Sequence, residues 1–293
     1  MALDIVPSGQ ACGAEVWGVD LAGTLDEATV AEIRRAWLTH KVLVFPDQHL
    51  TDDDLERVTL HFGPFGDDPF FESIDGHRHI AAIHRAADET APIFADSWHA
   101  DWTFQDHPPD GTCLYGKVIP PVGGDTLFAD QVRALAAMPA GLRRRIEGLT
   151  AIHSARRAYA PDGLYGDRDR EPRAMRIVVS DEAYRTRTHP LVRVHPETGA
   201  AAVYSTFGYI VGIEGMAADE ADALLGEVYA WQTRDEFRYR HRWAPGMFVM
   251  WDNRSVLHRA TGGYDGHERL LHRTTIGFNP AVRFTRVEGS CPD

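Results

Sequence analysis

Apolar residues recur along the chain with two different periods, and each period predicts one kind of secondary structure. A spacing of three or four residues over 28–37 predicts an amphipathic helix, and Asp26 is placed to cap its first turn. The same reasoning predicts further helices after Thr51 and over 132–137, 141–147 and 219–232. Short apolar or alternating runs predict strands at about 14–21, 42–45, 77–84, 98–104, 112–119, 246–251 and 270–278. Many strands with few helices indicate an α+β, mainly β fold of two packed sheets.

One segment departs from this regular pattern. Residues 156–187 are rich in Arg, Asp, Gly and Pro and show no regular period. We expect a long insert or a lid near the functional site, and the alternative is a surface loop without a role. No linker, repeat or low-complexity run divides the sequence, so residues 1–293 are expected to form a single domain.

Composition narrows the class of protein further. The hydrophobic fraction of 44% is ordinary for a globular protein, and the formal net charge is −13. This charge argues against nucleic acid or an anionic membrane as a partner. The sequence shows neither a run of 18 apolar residues nor a secretory signal, so no membrane partner is expected. Three widely spaced cysteines, an odd number, favour a reducing, cytoplasmic location.

Three polar residues that lie far apart in the sequence have the chemistry of one iron site. His99 and Asp101 lie between Trp98 and Trp102 in a stretch that suits the end of a strand. Residues i and i+2 of a strand point to one face, so both could reach a metal while Trp102 points away. With His258 they would form the facial triad of non-haem Fe(II) oxygenases. The alternative is a surface histidine beside an aspartate in a turn.

The His-x-acid pattern is not specific by itself, because it occurs twice. The second pair, His195 and Glu197, lies in His-Pro-Glu-Thr-Gly, a sequence that predicts a turn.

Two arginines follow the last candidate ligand. Arg269 and Arg273 are separated by four residues, which places both on one face of the strand predicted over 270–278. The guanidinium group offers a planar fork that suits carboxylate or sulfonate oxygens. One arginine could hold a dicarboxylate cosubstrate and the other an anionic substrate. A solvated pair on an edge strand is the alternative, and the apolar residues around the arginines disfavour it.

Several segments, in order and with suitable spacing, now resemble one family. The chain resembles the taurine dioxygenase and phenoxyacetate-herbicide dioxygenase family, which depends on Fe(II) and 2-oxoglutarate. The matching segments extend over almost the whole chain and are 13–21, 42–48, 98–101, 121–126, 189–192, 195–199, 251–258 and 269–273. The resemblance implies a double-stranded β-helix, or jelly-roll, core flanked by helices. It also implies a homo-oligomer, either a dimer or a tetramer.

The resemblance implies roles for individual residues. The implied Fe(II) ligands are His99, Asp101 and His258. Thr126 and Arg269 match the residues that bind the distal carboxylate of the cosubstrate 2-oxoglutarate, and O2 is the oxidant. Arg273 matches the arginine that holds the acidic group of the substrate or lies beside the metal-bound end of the cosubstrate. The implied reaction is hydroxylation of a small anionic organic substrate with release of succinate and CO2.

The substrate class is read from the loop after the second predicted helix. A rough alignment places Asp68 and Phe71 where sulfonate-specific members of the family carry a histidine and a tyrosine. Losing a cation and gaining a carboxylate disfavours taurine. The loop resembles the apolar, Pro-rich loop of aryloxyalkanoate-cleaving members, so an aryloxyalkanoate-like carboxylate is favoured, with an alkyl sulfonate or alkyl sulfate as the alternative. Phe71, Trp102 and Phe207 are expected to line an apolar substrate pocket, with ordinary core packing as the alternative.

Two other classes of protein use the same residues differently. A zinc hydrolase would need the three ligands and a water, but it leaves Thr126 and Arg269 without a role. A non-catalytic jelly-roll binding protein would be expected to lack at least one ligand, and all three are present.

Overall fold

The computed structural model describes residues 3–169 and 171–280, which form six α-helices and sixteen strands. The helices are α1 Glu27–His40, α2 Asp52–Leu60, α3 Gln131–Ala136, α4 Ala140–Ile146, α5 Arg156–Tyr159 and α6 Ala218–Gln232. The strands of the first half are β1 Asp4–Pro7, β2 Ala14–Trp17, β3 Val42–Phe45, β4 Ser73–Ile74, β5 His77–Arg85, β6 Gly111–Val118 and β7 Thr126–Asp130. Those of the second half are β8 Thr150–Ser154, β9 Thr186–Pro190, β10 Val192–Val194, β11 Ala201–Val203, β12 Ile210–Ile213, β13 Arg238–His241, β14 Phe248–Asp252, β15 Val256–Ala260 and β16 Arg269–Ile276. Within the described ranges, no helix is long and apolar enough to cross a membrane.

The first two helices begin where their capping residues predict. The Asp26 carboxylate accepts a hydrogen bond from the backbone N–H of Thr29 at 2.7 Å. At α2, Thr51 and Asp54 form a reciprocal capping box, in which each side chain accepts from the other's backbone N–H. Both predictions are therefore confirmed, because a cap depends on residues only three positions apart.

Two sheets packed face to face form the centre of the molecule. The larger sheet has eight strands in the order β1-β2-β3-β14-β6-β16-β5-β4, and a smaller sheet has the order β13-β7-β15. Leu114 and Val249 of the larger sheet share one buried apolar cluster with Phe128 and Tyr239 of the smaller sheet. The described residues are therefore mainly β, as the sequence predicts.

A second buried cluster lies outside this pair of sheets. The three-stranded sheet β12-β8-β9 packs against α3, α4 and α6. Leu135, Ile146, Ile210 and Leu224 are among the fully buried side chains that hold these elements together. Helices α3, α4 and α6 thus flank this sheet, and α6 buries the apolar face that its sequence predicts.

The strand predicted over 98–104 is wrong. His99 makes only an isolated antiparallel bridge with His258, and residues 101–104 form turns. Trp102 has a φ of 49°, in the left-handed region that a bulky residue rarely adopts. Its carbonyl accepts from the backbone N–H of Gln105 at 3.0 Å, which closes the turn. Trp102 therefore lines the cavity described below and does not point away from it.

Candidate active site

The isolated bridge brings the three candidate metal ligands together. His99 and His258 exchange backbone hydrogen bonds of 3.0 and 2.7 Å. The Nε2 atom of each histidine then lies 3.7 Å from Oδ1 of Asp101. The three side chains are buried, and their ligand atoms all lie within 4.8 Å of one another. The Nδ1 of His99 is 2.8 Å from the carbonyl oxygen of Ser97, which can only accept, so Nδ1 carries the proton and Nε2 is free for a metal.

A buried hydrogen-bond chain orients the carboxylate of Asp101. Thr112, on β6, donates from Oγ1 to Asp101 Oδ2 at 2.6 Å. Asn253 donates from Nδ2 to Thr112 Oγ1 at 2.9 Å, and its own Oδ1 accepts from Trp251 Nε1 at 3.0 Å. Asp101 Oδ1 is thereby turned towards the two histidines. The sequence analysis missed Thr112 and Asn253, although Asn253 lies within one of the matching segments.

The electrostatic environment keeps the carboxylate of Asp101 ionised and the two histidines neutral, which are the forms that can bind a metal. Burial alone would raise the pKa of Asp101, but Arg273, His258 and His99 hold it well below the ordinary value. Burial lowers the pKa of His258 to about 3 and also lowers the pKa of His99. One carboxylate and two neutral imidazoles are therefore available, and this donor set with its facial arrangement fits Fe(II).

A second buried group next to this site fits an anionic oxygen. Arg269 is 6% exposed, and no carboxylate in residues 3–169 and 171–280 forms an ion pair with it. Its Nε is buried without a hydrogen-bond partner, and burial lowers its pKa to about 10. Thr126 pairs with Ala260 on β15, and its Oγ1 accepts from Trp243 Nε1 at 3.0 Å. Gly124, with a φ of 68°, packs so closely that a Cβ there would lie 3.1 Å from Arg269 Nε.

A cavity that opens to solvent connects these groups. Its wall is largely aromatic, and the aromatic residues that line it are Phe71, Phe94, Trp102, Tyr159, Tyr209, Trp251 and Tyr264. The three candidate metal ligands, Thr126, Arg269 and Arg273 also line it. Of the three aromatic residues expected at the substrate, Phe71 and Trp102 lie in this wall. Phe207 does not: its side chain is 55% exposed and packs on Tyr229 with the ring centres 4.9 Å apart.

The segment 156–187 supplies part of this wall. Tyr159, Arg173 and Met175 line the cavity, and Ile177 forms a bridge with Phe71. Arg170 of the same segment lies outside the described residues. Sequence reasoning missed Tyr159 and Tyr209 as cavity residues, because nothing in the local pattern distinguishes them from core aromatic residues.

Arg273 is the arginine next to the candidate metal ligand Asp101. Its Nη2 lies 3.2 Å from Asp101 Oδ2, and its guanidinium carbon lies 5.3 Å from the ring centres of both Phe71 and Trp102. Its Nη1 donates to the carboxylate of Asp68, which also accepts from Trp102 Nε1. Asp68 itself does not line the cavity, so it contacts the arginine from behind.

The other His-x-acid pair has a structural role. His195 begins a turn, as predicted, and its Nε2 lies 2.8 Å from the buried carboxylate of Asp252. Arg254 bonds to Asp252 and, at 2.8 Å, to Glu197. This buried network joins the turn to Asp252 at the end of β14, four residues before the start of β15, the strand that carries His258.

Comparison with known proteins agrees with this geometry. The sequence model of the family described as "Taurine catabolism dioxygenase TauD, TfdA family" matches residues 4–275. An alpha-ketoglutarate-dependent sulfate ester dioxygenase of Pseudomonas putida is 34% identical over 94% of this chain and 90% of its own length. An (S)-phenoxypropionate/alpha-ketoglutarate-dioxygenase of Sphingobium herbicidovorans is 33% identical over 96% of both chains. The crystal structure of a taurine dioxygenase from Burkholderia xenovorans superimposes with a TM-score of 0.78 at 31% identity, covering 97% of this chain and 95% of that one.

The chain therefore belongs to the TauD/TfdA family and is an Fe(II)- and 2-oxoglutarate-dependent dioxygenase that uses O2. The sequence-based prediction of the family, the enzyme class and the cofactors is confirmed. Family membership decides for the dioxygenase over the zinc hydrolase and the non-catalytic binding protein considered above.

Proposed function

We propose that this dioxygenase hydroxylates a small organic acid, with an aryloxyalkanoate-like carboxylate as the favoured substrate. The observation that carries the proposal is Arg273, a buried guanidinium that touches the Asp101 carboxylate and lies 5.3 Å from the ring centres of both Phe71 and Trp102. A substrate with a flat aromatic body and an acid group matches such a wall, because the rings bind the body and the guanidinium binds the acid.

The residues of the site divide the reaction between them. His99, Asp101 and His258 would hold Fe(II), and Thr126 and Arg269 would bind the distal carboxylate of 2-oxoglutarate. The iron, when bound with 2-oxoglutarate, supplies the oxidation of a C–H bond by O2. One oxygen atom enters the substrate as a hydroxyl group and the other enters succinate, while the lost carboxylate leaves as CO2.

The protein's own contribution is orientation and exclusion of water. Arg273 would fix the acid group, and the rings of Phe71 and Trp102 would fix the body, so that the carbon beside the ether oxygen faces the metal ligands. Hydroxylation of that carbon gives a hemiacetal. The hemiacetal collapses to a phenol and a carbonyl compound without further help from the protein.

Other cations of the cavity support a single acid-binding position. Arg85 lies 3.5 Å from Glu89, and Arg173 lies 2.5 Å from Asp169. Arg273 is paired as well, but among the described residues it is the arginine that forms an ion pair with Asp101, so it lies nearest the proposed metal ligands. Arg269 is assigned to the cosubstrate. A carboxylate, with two oxygens, suits the donors that Arg273 still offers, whereas a sulfonate or sulfate has a third oxygen for which Phe71 provides no donor.

An alkyl sulfate or alkylsulfonate is the second candidate substrate. It is favoured by one finding, the 34% identity with a sulfate ester dioxygenase, which is as high as that with the phenoxypropionate enzyme. The family resemblance alone does not separate the two classes of substrate.

Five further expectations are part of the proposal. We propose a single domain with a double-stranded β-helix core, in which residues 156–187 act as a lid over the cavity. Tyr159, Arg173 and Met175 in the cavity wall support the lid. A homo-oligomer, dimer or tetramer, and a cytoplasmic location remain predictions from the sequence. Light scattering after size-exclusion chromatography measures the molar mass and therefore tests the homo-oligomer.

Succinate release tests the proposed reaction. The Fe(II) enzyme is loaded with 2-oxoglutarate anaerobically and exposed to oxygen with phenoxy acids, alkyl sulfates and taurine in parallel. We expect phenoxy acids to raise succinate formation together with phenol release. Stimulation by alkyl sulfates alone would select the second candidate, and stimulation by no member would reject both substrate classes.

A further inference from the structure

Asp68 is an acidic residue beside the site, and the reaction described above assigns it no role. It lies in the loop between α2 and β4, three residues before Phe71, and its side chain is 15% exposed. One of its oxygens, Oδ1, accepts from both Arg273 Nη1 and Trp102 Nε1. The residue therefore contacts two of the groups that form the proposed substrate pocket, from the side that faces away from the cavity.

This contact changes the charge that the pocket presents. The side chain of Arg273 is only 4% exposed, and it touches two carboxylates, since Asp101 Oδ2 lies 3.2 Å from its Nη2. Asp101 is expected to give its charge to the metal. Asp68 has no such second partner of opposite charge among the ion pairs of the described residues, so its charge is directed at Arg273 alone. A guanidinium that is already paired attracts a further anion less strongly than a free one.

We propose that Asp68 is a specificity-determining residue that sets how strongly this pocket prefers an acid over its neutral analogue. Its carboxylate offsets the charge of Arg273 and keeps the guanidinium and Trp102 in place. The inference rests on the proposed role of Arg273 in binding the substrate's acid group. It predicts a pocket that binds acids loosely and tolerates a neutral polar group, such as an amide, at the same position.

The replacement Asp68→Asn separates charge from geometry. Asparagine keeps an oxygen of the same position and size, so it can still accept from Arg273 and Trp102, but it removes the negative charge. The matched control is Asp67→Asn, which removes the same charge from the exposed neighbouring residue, where no ion pair with Arg273 is present in the described structure.

Affinity is measured by anaerobic isothermal titration of the enzyme loaded with Fe(II) and 2-oxoglutarate. The two probes are phenoxyacetate and its neutral analogue phenoxyacetamide, and the readout is the ratio of their dissociation constants. We expect Asp68→Asn to raise the preference for the acid about tenfold, because a like charge within several ångströms is removed from a buried site. Asp67→Asn should leave the ratio unchanged. General damage to the pocket would weaken both probes and would not produce this change in the ratio.

Each outcome decides something about Asp68. An unchanged or lowered ratio in Asp68→Asn would overturn the inference, even if the unmodified enzyme hydroxylates phenoxyacetate and the proposed function stands. Acid binding by Asp68→Asn but not by the unmodified enzyme would support the inference and reject the aryloxyalkanoate substrate. Failure of both enzymes to bind the acid would overturn both proposals. If Asp68→Asn does not fold, Asp68→Ser, which also removes the charge, is compared in the same way.

Discussion

The hydroxyl group of Thr112 provides the sharpest test of how this site holds its metal. Thr112 Oγ1 donates to Asp101 Oδ2 at 2.6 Å and accepts from Asn253 Nδ2 at 2.9 Å. Thr112→Val keeps the shape of the side chain and removes the donor. We therefore expect Asp101 to lose its fixed orientation while the fold remains, because both residues are buried within the larger sheet and its adjoining turn.

The magnitude follows from the character of this hydrogen bond. A hydrogen bond to an ionised carboxylate contributes about 2 kcal/mol, and each 1.4 kcal/mol corresponds to a factor of about ten in affinity. Loss of the donor should therefore weaken Fe(II) binding by roughly 30-fold, which lies within the range of about 10–100-fold typical of groups that orient metal ligands. Some of the loss would appear as reduced stability of the metal-free protein.

The assay is an anaerobic competition titration of Fe(II) against a chelator, with urea unfolding of the metal-free protein in parallel. Thr59→Val is the matched control, since this fully buried threonine bonds to Thr274 Oγ1 at 2.7 Å and touches no metal ligand. Its unfolding free energy should fall without a change in metal affinity. Metal binding by Thr112→Val that equals that of the unmodified protein would refute the orienting role.

Three further predictions test other parts of the structure. Asp101→Ala should abolish both turnover and tight Fe(II) binding, since the remaining histidines cannot replace an anionic ligand; retained turnover would reject the ligand assignment. Arg269→Ala should raise the KM for 2-oxoglutarate about 100-fold, because a charge-assisted bidentate pair is lost, and an unchanged KM would reject the cosubstrate role. Burial lowers the pKa of His153 to about 3 in the folded protein, whereas the pKa in the unfolded chain is about 6.5. Below pH 6.5 the unfolded chain therefore binds a proton at His153 and the folded protein does not. Stability should therefore fall as the pH drops below 6.5, and urea unfolding of His153→Asn should show that dependence reduced by up to about 1.4 kcal/mol per pH unit.

The parts of the fold that the sequence predicted depend on neighbouring residues. The capped starts of α1 and α2 follow from Asp26 and Thr51, whose hydrogen-bond partners are three positions away. Strands β7, β13 and β15 were missed, whereas the equally short β3 was predicted, because β3 is an unbroken apolar run and the other three mix polar with apolar residues. Short segments of this kind become strands only when a partner is present.

The features of the site also divide into those that the sequence predicted and those that depend on the fold. The chemical types of His99, Asp101 and His258, and the four-residue spacing of Arg269 and Arg273, are properties of the sequence. Together with the other matching segments along the chain they predicted the family and, through the family, the cofactors, because Fe(II) and a dicarboxylate each require particular donor groups. The strand predicted around His99 was wrong, yet the ligands still meet, since a single bridge to His258 aligns them.

Only the tertiary structure decided how these groups are supported. Thr112 and Asn253 become partners of Asp101 because β6 and the end of β14 lie side by side, although 141 residues separate them in the sequence. Asp68 reaches Arg273 because its loop folds against β16, 205 residues further along the chain. The sequence by itself determined which chemistry is available to this protein, because side-chain types are local. The fold decided which charges meet, because contacts between distant residues exist only after the sheets have packed.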